Sequence, residues 1–243
     1  MPLSIHTNYS SLVTQTNLSK TNNALSTNQQ RLGTGLRINS AADDAAGLQI
    51  ATRLNAQSRG MEVAIRNTGD AISLLQTAEG AFNEMTDIMQ RMKDLATQAA
   101  NDTNSTEDRT ALQAEYDELS KELNNIVDNT KYAGSSLFAA GGKFTAAVNF
   151  QIGASASETL ALDASDQLTD VTDAIATIEA ETLDDAANSA SAIGELETAL
   201  NAVGAMRAAL GSNINRLNHT TNNLANMKDN TDMSKGRITD ADF

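Results

Sequence analysis

The sequence predicts a mainly α protein: a long antiparallel helical rod or coiled coil with a small β-hairpin at its far end. Three observations carry that expectation. Leucines recur seven residues apart near the start, two long stretches place apolar residues at alternating steps of four and three, and one short stretch alternates with a period of two. The residue stock agrees. Of 243 residues 40% are hydrophobic and only 3% aromatic, with one Pro and neither Trp nor Cys, so the bulky side chains that fill a broad core are scarce. Closely packed Ala-rich helices suit such a composition.

The first helix is expected on Leu18, Leu25 and Leu32, one narrow stripe in a field of Asn, Thr and Ser. A helix with so little to bury cannot offset its ordering entropy alone, which predicts that residues up to about 30 are disordered in a free monomer. Gly33 and Gly35 interrupt it. Asn39 or Ser40 is placed to cap the next helix, with Asp43 and Asp44 near the positive end of its dipole.

That helix runs far, because Ala71, Leu75, Ala78, Phe82, Met85, Met89, Met92, Ala96 and Ala99 keep the four-three rhythm. Ile65, Ile72, Ile88 and Leu95 form a second stripe beside them. Two stripes imply more than one neighbouring helix. A continuous helix over 45–99 spans roughly 80 Å at the standard rise per residue. The turn formers of NDTNSTED, 101–108, then supply a new N-cap, and Leu112, Tyr116, Leu119, Leu123 and Ile126 mark the following helix.

Here the period changes to two: Phe144, Ala146, Val148, Phe150 and Ile152 alternate, GASASE turns the chain, and 159–162 returns as a partner strand. Helical spacing resumes with Ile193, Leu196, Leu200, Val203, Leu210, Ile214, Leu217 and Leu224, interrupted by Arg207 and Thr221. This last helix is expected to lie antiparallel to the first long one.

Several function classes lose ground. A net charge of -14 repels phosphate backbones and anionic bilayers, which argues against nucleic acid as a partner. Nothing in the sequence is apolar for long enough to insert into a membrane, and the opening MPLSIHTNYS has neither the basic nor the apolar region of a cleavable signal. No cofactor is expected. His6 and His219 stand alone among Asn and Thr, the carboxylates of Glu179, Glu181, Asp184 and Asp185 fall on solvent faces, and Gly33-Thr34-Gly35 follows a helix without the spacing or lysine of a phosphate loop. Met85, Met89 and Met92 read as adaptable core.

Three segments carry a resemblance: QRLGTGLRINSAADDAAGLQIA at 30–51, QRMKDLATQAANDTNS at 90–105 and LGSNINRLNHTTNNLANM at 210–227. Together they resemble bacterial flagellin, the subunit of the flagellar filament, and the likeness runs through RITDADF. It implies an inner-core terminal helix and joint at 1–40, outer-rod helices and hairpin at 41–162, a short variable region at 163–189, a returning rod helix at 190–232 and the start of a terminal segment at 233–243. Family members continue past RITDADF with another amphipathic helix, so the chain is expected to lack that partner for Leu18, Leu25 and Leu32.

The resemblance further implies a structural role without catalysis. Copies would polymerise through the terminal helix, at Leu18, Leu25 and Leu32, and through rod-domain contacts, with rod packing assigned to Leu75, Phe82, Met85, Met89, Met92, Leu200, Leu210, Ile214 and Leu217, and Gly33 and Gly35 as the joint between tube layers. The implied partners are further copies, the flagellar export apparatus, and cap and junction proteins, in an extracellular filament reached without a cleaved signal. Vertebrate Toll-like receptor 5 is implied as a reader of Gln90, Arg91, Leu95 and Glu115, with Arg91 and Leu95 as an exposed pair four residues apart. The rival readings are a hook-filament junction protein and a signalling coiled coil; the second predicts an unbroken helical hairpin, which the alternation at 144–152 opposes.

Overall fold

The computed structural model describes residues 8–242; His6 lies outside them. Five helices and two small antiparallel strand pairs occur along the described chain: α1 Tyr9–Thr34, α2 Ala45–Ala99, α3 Thr106–Asn129, β1 Lys131–Tyr132, β2 Ser135–Ser136, β3 Val148–Gln151, β4 Thr159–Leu162, α4 Ser165–Glu179 and α5 Ala186–Thr239. The residues divide into two compact units, Met1–Glu62 with Ala225–Phe243, and Val63–Leu224. Helices α2 and α5 each contribute to both.

In the unit Val63–Leu224, the stripe of α2 is buried as its spacing predicts. Ala71, Leu75, Ala78, Phe82, Met85, Met89, Met92, Ala96 and Ala99 are all buried, and Ile88 and Leu95 are buried beside them. Helix α5 answers with a strict seven-residue repeat, Leu196, Val203, Leu210 and Leu217, interleaved with Ala192, Ala199 and Met206. Alternating small and large residues let two helices approach closely along a shared seam. Leu200 and Ile214 flank that seam, half-buried against the core. Two ion pairs give the direction: Lys93 to Glu197 at 2.8 Å and Arg207 to Glu79 at 3.8 Å, so α5 advances as α2 recedes. The helices are antiparallel here.

Helix α3 starts where NDTNSTED predicts. The Ser105 hydroxyl accepts from the Asp108 amide, while the Asp108 carboxylate accepts from the Ser105 amide and hydroxyl at 3.0 and 2.9 Å. Both first-turn needs are met reciprocally. Arg109 closes the corner behind it by donating to the Ala99 and Asn101 carbonyls at 2.9 and 3.2 Å.

Three features depart from expectation. Strand β3 covers only Val148–Gln151, because Phe144 sits in a single 3-10 turn, Lys143–Thr145, with its amide donating to the Leu137 carbonyl at 3.0 Å. Its ring is buried there and stacks 6.1 Å from Phe138, which lies 4.7 Å from Phe82, so the core took the aromatic out of the alternation. The pair β1–β2 was unforeseen; it closes through Ala133 and Gly134, whose φ of 49° and 81° match the tight hairpin turn that suits strand twist. Within 163–189, α4 buries Leu168, Val171, Ile175 and Ile178, and Tyr116 on α3 donates to the Ile178 carbonyl at 3.1 Å. Burial pushes the Tyr116 hydroxyl pKa up, keeping it a donor.

In the unit Met1–Glu62 with Ala225–Phe243, α1 buries no residue. Where the sequence predicts disorder in a free monomer, the structure has a helix, but one that buries none of its residues. Asn8 caps its start by accepting from the Ser11 amide at 3.1 Å. Its end differs from a two-glycine joint. Gly33 is inside the helix with open space around it, whereas Gly35 is the cap, at φ 71°, its amide donating to the Arg31 carbonyl at 2.8 Å. Only Gly35 requires a residue without Cβ.

Two predictions follow from these termini. Gly33→Ala should raise the helicity of α1, since Ala is favoured over Gly by roughly 1 kcal/mol in a helix, while Gly35→Ala should cost roughly 1–2 kcal/mol for forcing a Cβ into the left-handed region. Hydrogen exchange of the Gly35–Ile38 amides, read beside circular dichroism, checks both; equal effects at the two sites contradict the assignment. At α3, hydrogen bonds from Ser105 hold the Asp108 carboxyl below its ordinary value of 3.8. A lowered folded-state pKa stabilises above the unfolded value and loses that contribution as pH falls through the folded one. Protection of the first α3 turn should therefore decline on acidification below about pH 4, and in Ser105→Ala it should be weak at every pH.

Candidate functional site

The sequence places no catalytic group, and its candidate residues for assembly and recognition fall in two regions, one in each unit. In the first unit, Leu18, Leu25 and Leu32 on α1 are 59%, 54% and 70% exposed, and Leu12 and Val13 are exposed on other faces of the same helix. Around them the helix is uncharged save for Lys20 and Arg31. The hydroxyls of Thr14, Thr16, Thr21 and Thr27 donate back to carbonyls four residues earlier. Those polar side chains are satisfied within the helix, which leaves the leucine stripe as its unsatisfied feature.

Behind α1 the chain turns through 35–44, and the acidic pair divides the labour. Asp43 Oδ2 accepts from the Asn39 amide at 3.0 Å, the Ser40 amide at 2.9 Å and the Ser40 hydroxyl at 3.2 Å. Those donors, the Ser40 amide foremost, hold its carboxyl below the usual range. Asp44 Oδ1 accepts from the Gly47 amide at 2.8 Å and caps α2. This corrects the expectation of a cap at Asn39 or Ser40: their amides serve the Asp43 turn, and α2 begins four residues later. Ile38 is buried and meets Gly47, where a Cβ would come within 2.7 Å of its side chain. The close approach explains a glycine in the first turn of a long helix.

In the second unit, Arg91 and Glu115 are brought together from α2 and α3. Arg91 donates through Nε and Nη2 to Glu115 Oε1 at 3.0 and 2.6 Å, with both side chains about half exposed. Gln90 is exposed next to them. Leu95 is not: at 1% exposure it belongs to the core with Met92 and Ala96. The expected exposed pair of Arg91 and Leu95 is thereby overturned. The Arg91–Glu115 contact marks that face of α2 as the one turned toward α3, and one turn further along the same face a leucine is covered while a longer arginine reaches out.

Of the remaining candidates, Leu75, Phe82, Met85, Met89, Met92, Leu210 and Leu217 are fully buried, and His219 is exposed. Asp185 caps α5 by accepting from the Asn188 amide at 2.7 Å, and Asp184 accepts from Thr182 and Asn188. These carboxylates have local structural work. Among the described residues, no three His, Cys, Asp or Glu are grouped to hold a metal ion, and no helix is long and apolar enough to cross a membrane.

Comparison with known proteins places these surfaces in a family. The model of the bacterial flagellin N-terminal helical region matches residues 5–143, and that of the bacterial flagellin C-terminal helical region matches residues 193–243. Flagellin A of Vibrio anguillarum is 51% identical over 160 residues, 66% of this chain and 41% of its own length. Polar flagellin B/D of Vibrio parahaemolyticus is 47% identical over 170 residues, 70% of this chain and 44% of its own length. The chain thus spans somewhat over two fifths of these curated relatives. Among solved structures, Bacillus cereus flagellin aligns with a TM-score of 0.57 at 36% identity, over 65% of this chain and 88% of that one. A putative flagellar hook-associated protein from Vibrio parahaemolyticus aligns with a TM-score of 0.65 over 82% of this chain and 100% of that one, but its 15% identity speaks to fold alone. Since the N-terminal helical model alone takes in more than half of the residues, including α1, the 35–44 turn and the Arg91–Glu115 corner, the chain belongs to the bacterial flagellin family.

Proposed function

We propose that this chain is a structural subunit of a bacterial flagellar filament and that copies polymerise through the leucine stripe of α1 together with rod-helix contacts. The observation that supports it most is a 26-residue helix with no buried residue and with Leu18, Leu25 and Leu32 exposed in register. A helix of that kind is stabilised chiefly by packing against other helices. The reading carries an extracellular filament as its location and the flagellar export apparatus, cap and junction proteins as its partners. The signalling coiled-coil alternative calls for an unbroken helical hairpin, which the β3–β4 pair interrupts. A junction protein has only the distant fold likeness in its favour.

The test is expression as the sole filament subunit in a flagellin-deleted bacterium, read by electron microscopy. With an amphipathic helix of the family's kind appended after Phe243, the chain should give filaments micrometres long, and Leu18→Asp with Leu25→Asp should abolish them without shifting the melting of the Val63–Leu224 unit. Filaments of equal length from the double variant sink the proposal.

Recognition by vertebrate Toll-like receptor 5 is proposed on the Arg91 surface, with Gln90 and Glu115 beside it. Arg is favoured at interface hot spots because a planar guanidinium offers several donors at once. Burial of Leu95 now separates two variants. Arg91→Ala should weaken receptor binding by about 1–3 kcal/mol, the hot-spot range, with little change in stability, because a half-exposed ion pair contributes little to folding. Leu95→Ala should instead destabilise the fold by about 2–5 kcal/mol, as core truncations do. Surface plasmon resonance paired with thermal melts decides it: unchanged affinity in Arg91→Ala removes this surface from the receptor site.

A further inference from the structure

Residues 35–38 and 238–241 meet edge to edge inside the first unit. Leu36 and Asp240 form an antiparallel bridge. The Arg37 amide donates to the Thr239 carbonyl at 2.7 Å, the Ile38 amide reaches the same carbonyl at 3.4 Å, and the Ala241 amide donates back to the Gly35 carbonyl at 3.0 Å. Arg37 adds a side-chain bond, Nη2 to the Ile238 carbonyl at 2.8 Å. That carbonyl lies in the last turn of α5, where no later helical amide remains to donate to it. One arginine therefore grips the end of one helix just beyond the end of another.

The surroundings show what these bonds hold. Helix α1 contributes no buried side chain, so packing does not fix its direction. Beside the bridge lies an open groove of about 540 Å³, with Leu25, Arg31 and Leu32 of α1 on one wall and Asp240, Ala241 and Asp242 on the other. The contact with the end of α5 is made by backbone and by Arg37, and on its other side Ile38 is anchored in the buried contact with Gly47.

We infer that 35–38 and 238–241 form a latch, with Arg37 as its positioning residue, that couples the direction of α1 to the order of the chain just past α5. Each bond belongs to both segments, so neither is freed without the other. The coupling is reciprocal: whatever orders the end of α5 favours the closed joint, and whatever holds α1 in line orders the end of α5. Short exposed bridges of this kind open locally, without unfolding the helices around them. The latch works in the free chain, so it stands or falls separately from filament formation.

The chain contains no cysteine, so labels enter without background. Nitroxides at Ser26→Cys on α1 and Ser234→Cys on α5, both exposed positions, report the separation by pulsed electron resonance. The parent should give one narrow distance distribution. Arg37→Ala, and separately Ala241→Pro, which removes the amide given to Gly35, should each broaden it. Both variants should also speed exchange of the Arg37 and Ile38 amides about tenfold, the scale of one lost hydrogen bond, while amides in 196–217 keep their protection. Arg37→Lys, which retains a cation and a single donor, should restore part of the protection. If Ala241→Pro leaves the Arg37 and Ile38 amides unchanged, or Arg37→Ala leaves the distance narrow, there is no coupling. Loss of protection in 196–217 makes Arg37 a support of the fold and overturns the latch as well.

Discussion

The seam between α2 and α5 is the contact on which the rest of the Val63–Leu224 unit depends. Few large side chains are available, so stability has to come from many small interdigitations rather than a thick interior. Leu196, Val203, Leu210 and Leu217 return every seven residues, and the small residues Ala192 and Ala199 are buried on the same face. Opposite them, Met85, Met89 and Met92 are unbranched and flexible enough to fill whatever gaps a long antiparallel contact leaves. With the seam in place, α3 and α4 have a surface to cover, and the scarce aromatics Phe82, Phe138 and Phe144 are gathered where the strand pairs need an anchor.

What the seam achieves in one unit is missing from the other. Helix α1 has the same leucine spacing as α5, yet its stripe meets no partner. The difference lies in what surrounds the repeat: α5 interposes Ala and Met between its leucines, whereas α1 interposes Thr, Asn and Ser, whose hydroxyls and amides keep the flanks wet. A narrow stripe with wet flanks is suited to a narrow seam with an equally narrow stripe. Such a helix is a poor element of a monomer core and a good element of a bundle.

Much of this was legible in the sequence, for a physical reason. Helices that bury one face advertise it by period, so α2, α3 and α5 were expected, and the NDTNSTED corner carried its capping residues in order. Failures came where two signals overlapped or where tertiary packing decided. Leu95 belonged to the second stripe of α2, which marks it as core, and also to the receptor motif, which suggested exposure; its burial in the core resolved the conflict. Helix α4 has Leu168, Val171, Ile175 and Ile178 at helical spacing, a signal that was present and lost beneath the expectation of a variable region. The division between Asp43 and Asp44 was not legible, because either carboxylate can cap a helix and only the backbone path selects one.

Charge completes the division between the two units. The first 42 residues contain Lys20, Arg31 and Arg37 and no Asp or Glu, whereas residues 144–206 contain no Lys, Arg or His among many carboxylates. Like charges on neighbouring copies repel, and the repulsion is strongest where the density of one sign is highest. If copies of this chain assemble, the carboxylate-rich segment between the strand pair and α5 resists close approach, and the α1 region offers the least resistance. Apolar attraction from Leu18, Leu25 and Leu32 is therefore placed where electrostatic opposition is weakest. Salt screens the carboxylates beyond about 8 Å at physiological ionic strength and leaves apolar burial intact, so the two contributions respond differently to the medium. The same distribution supports the proposal that copies would meet through α1 rather than through the acidic surface of α4.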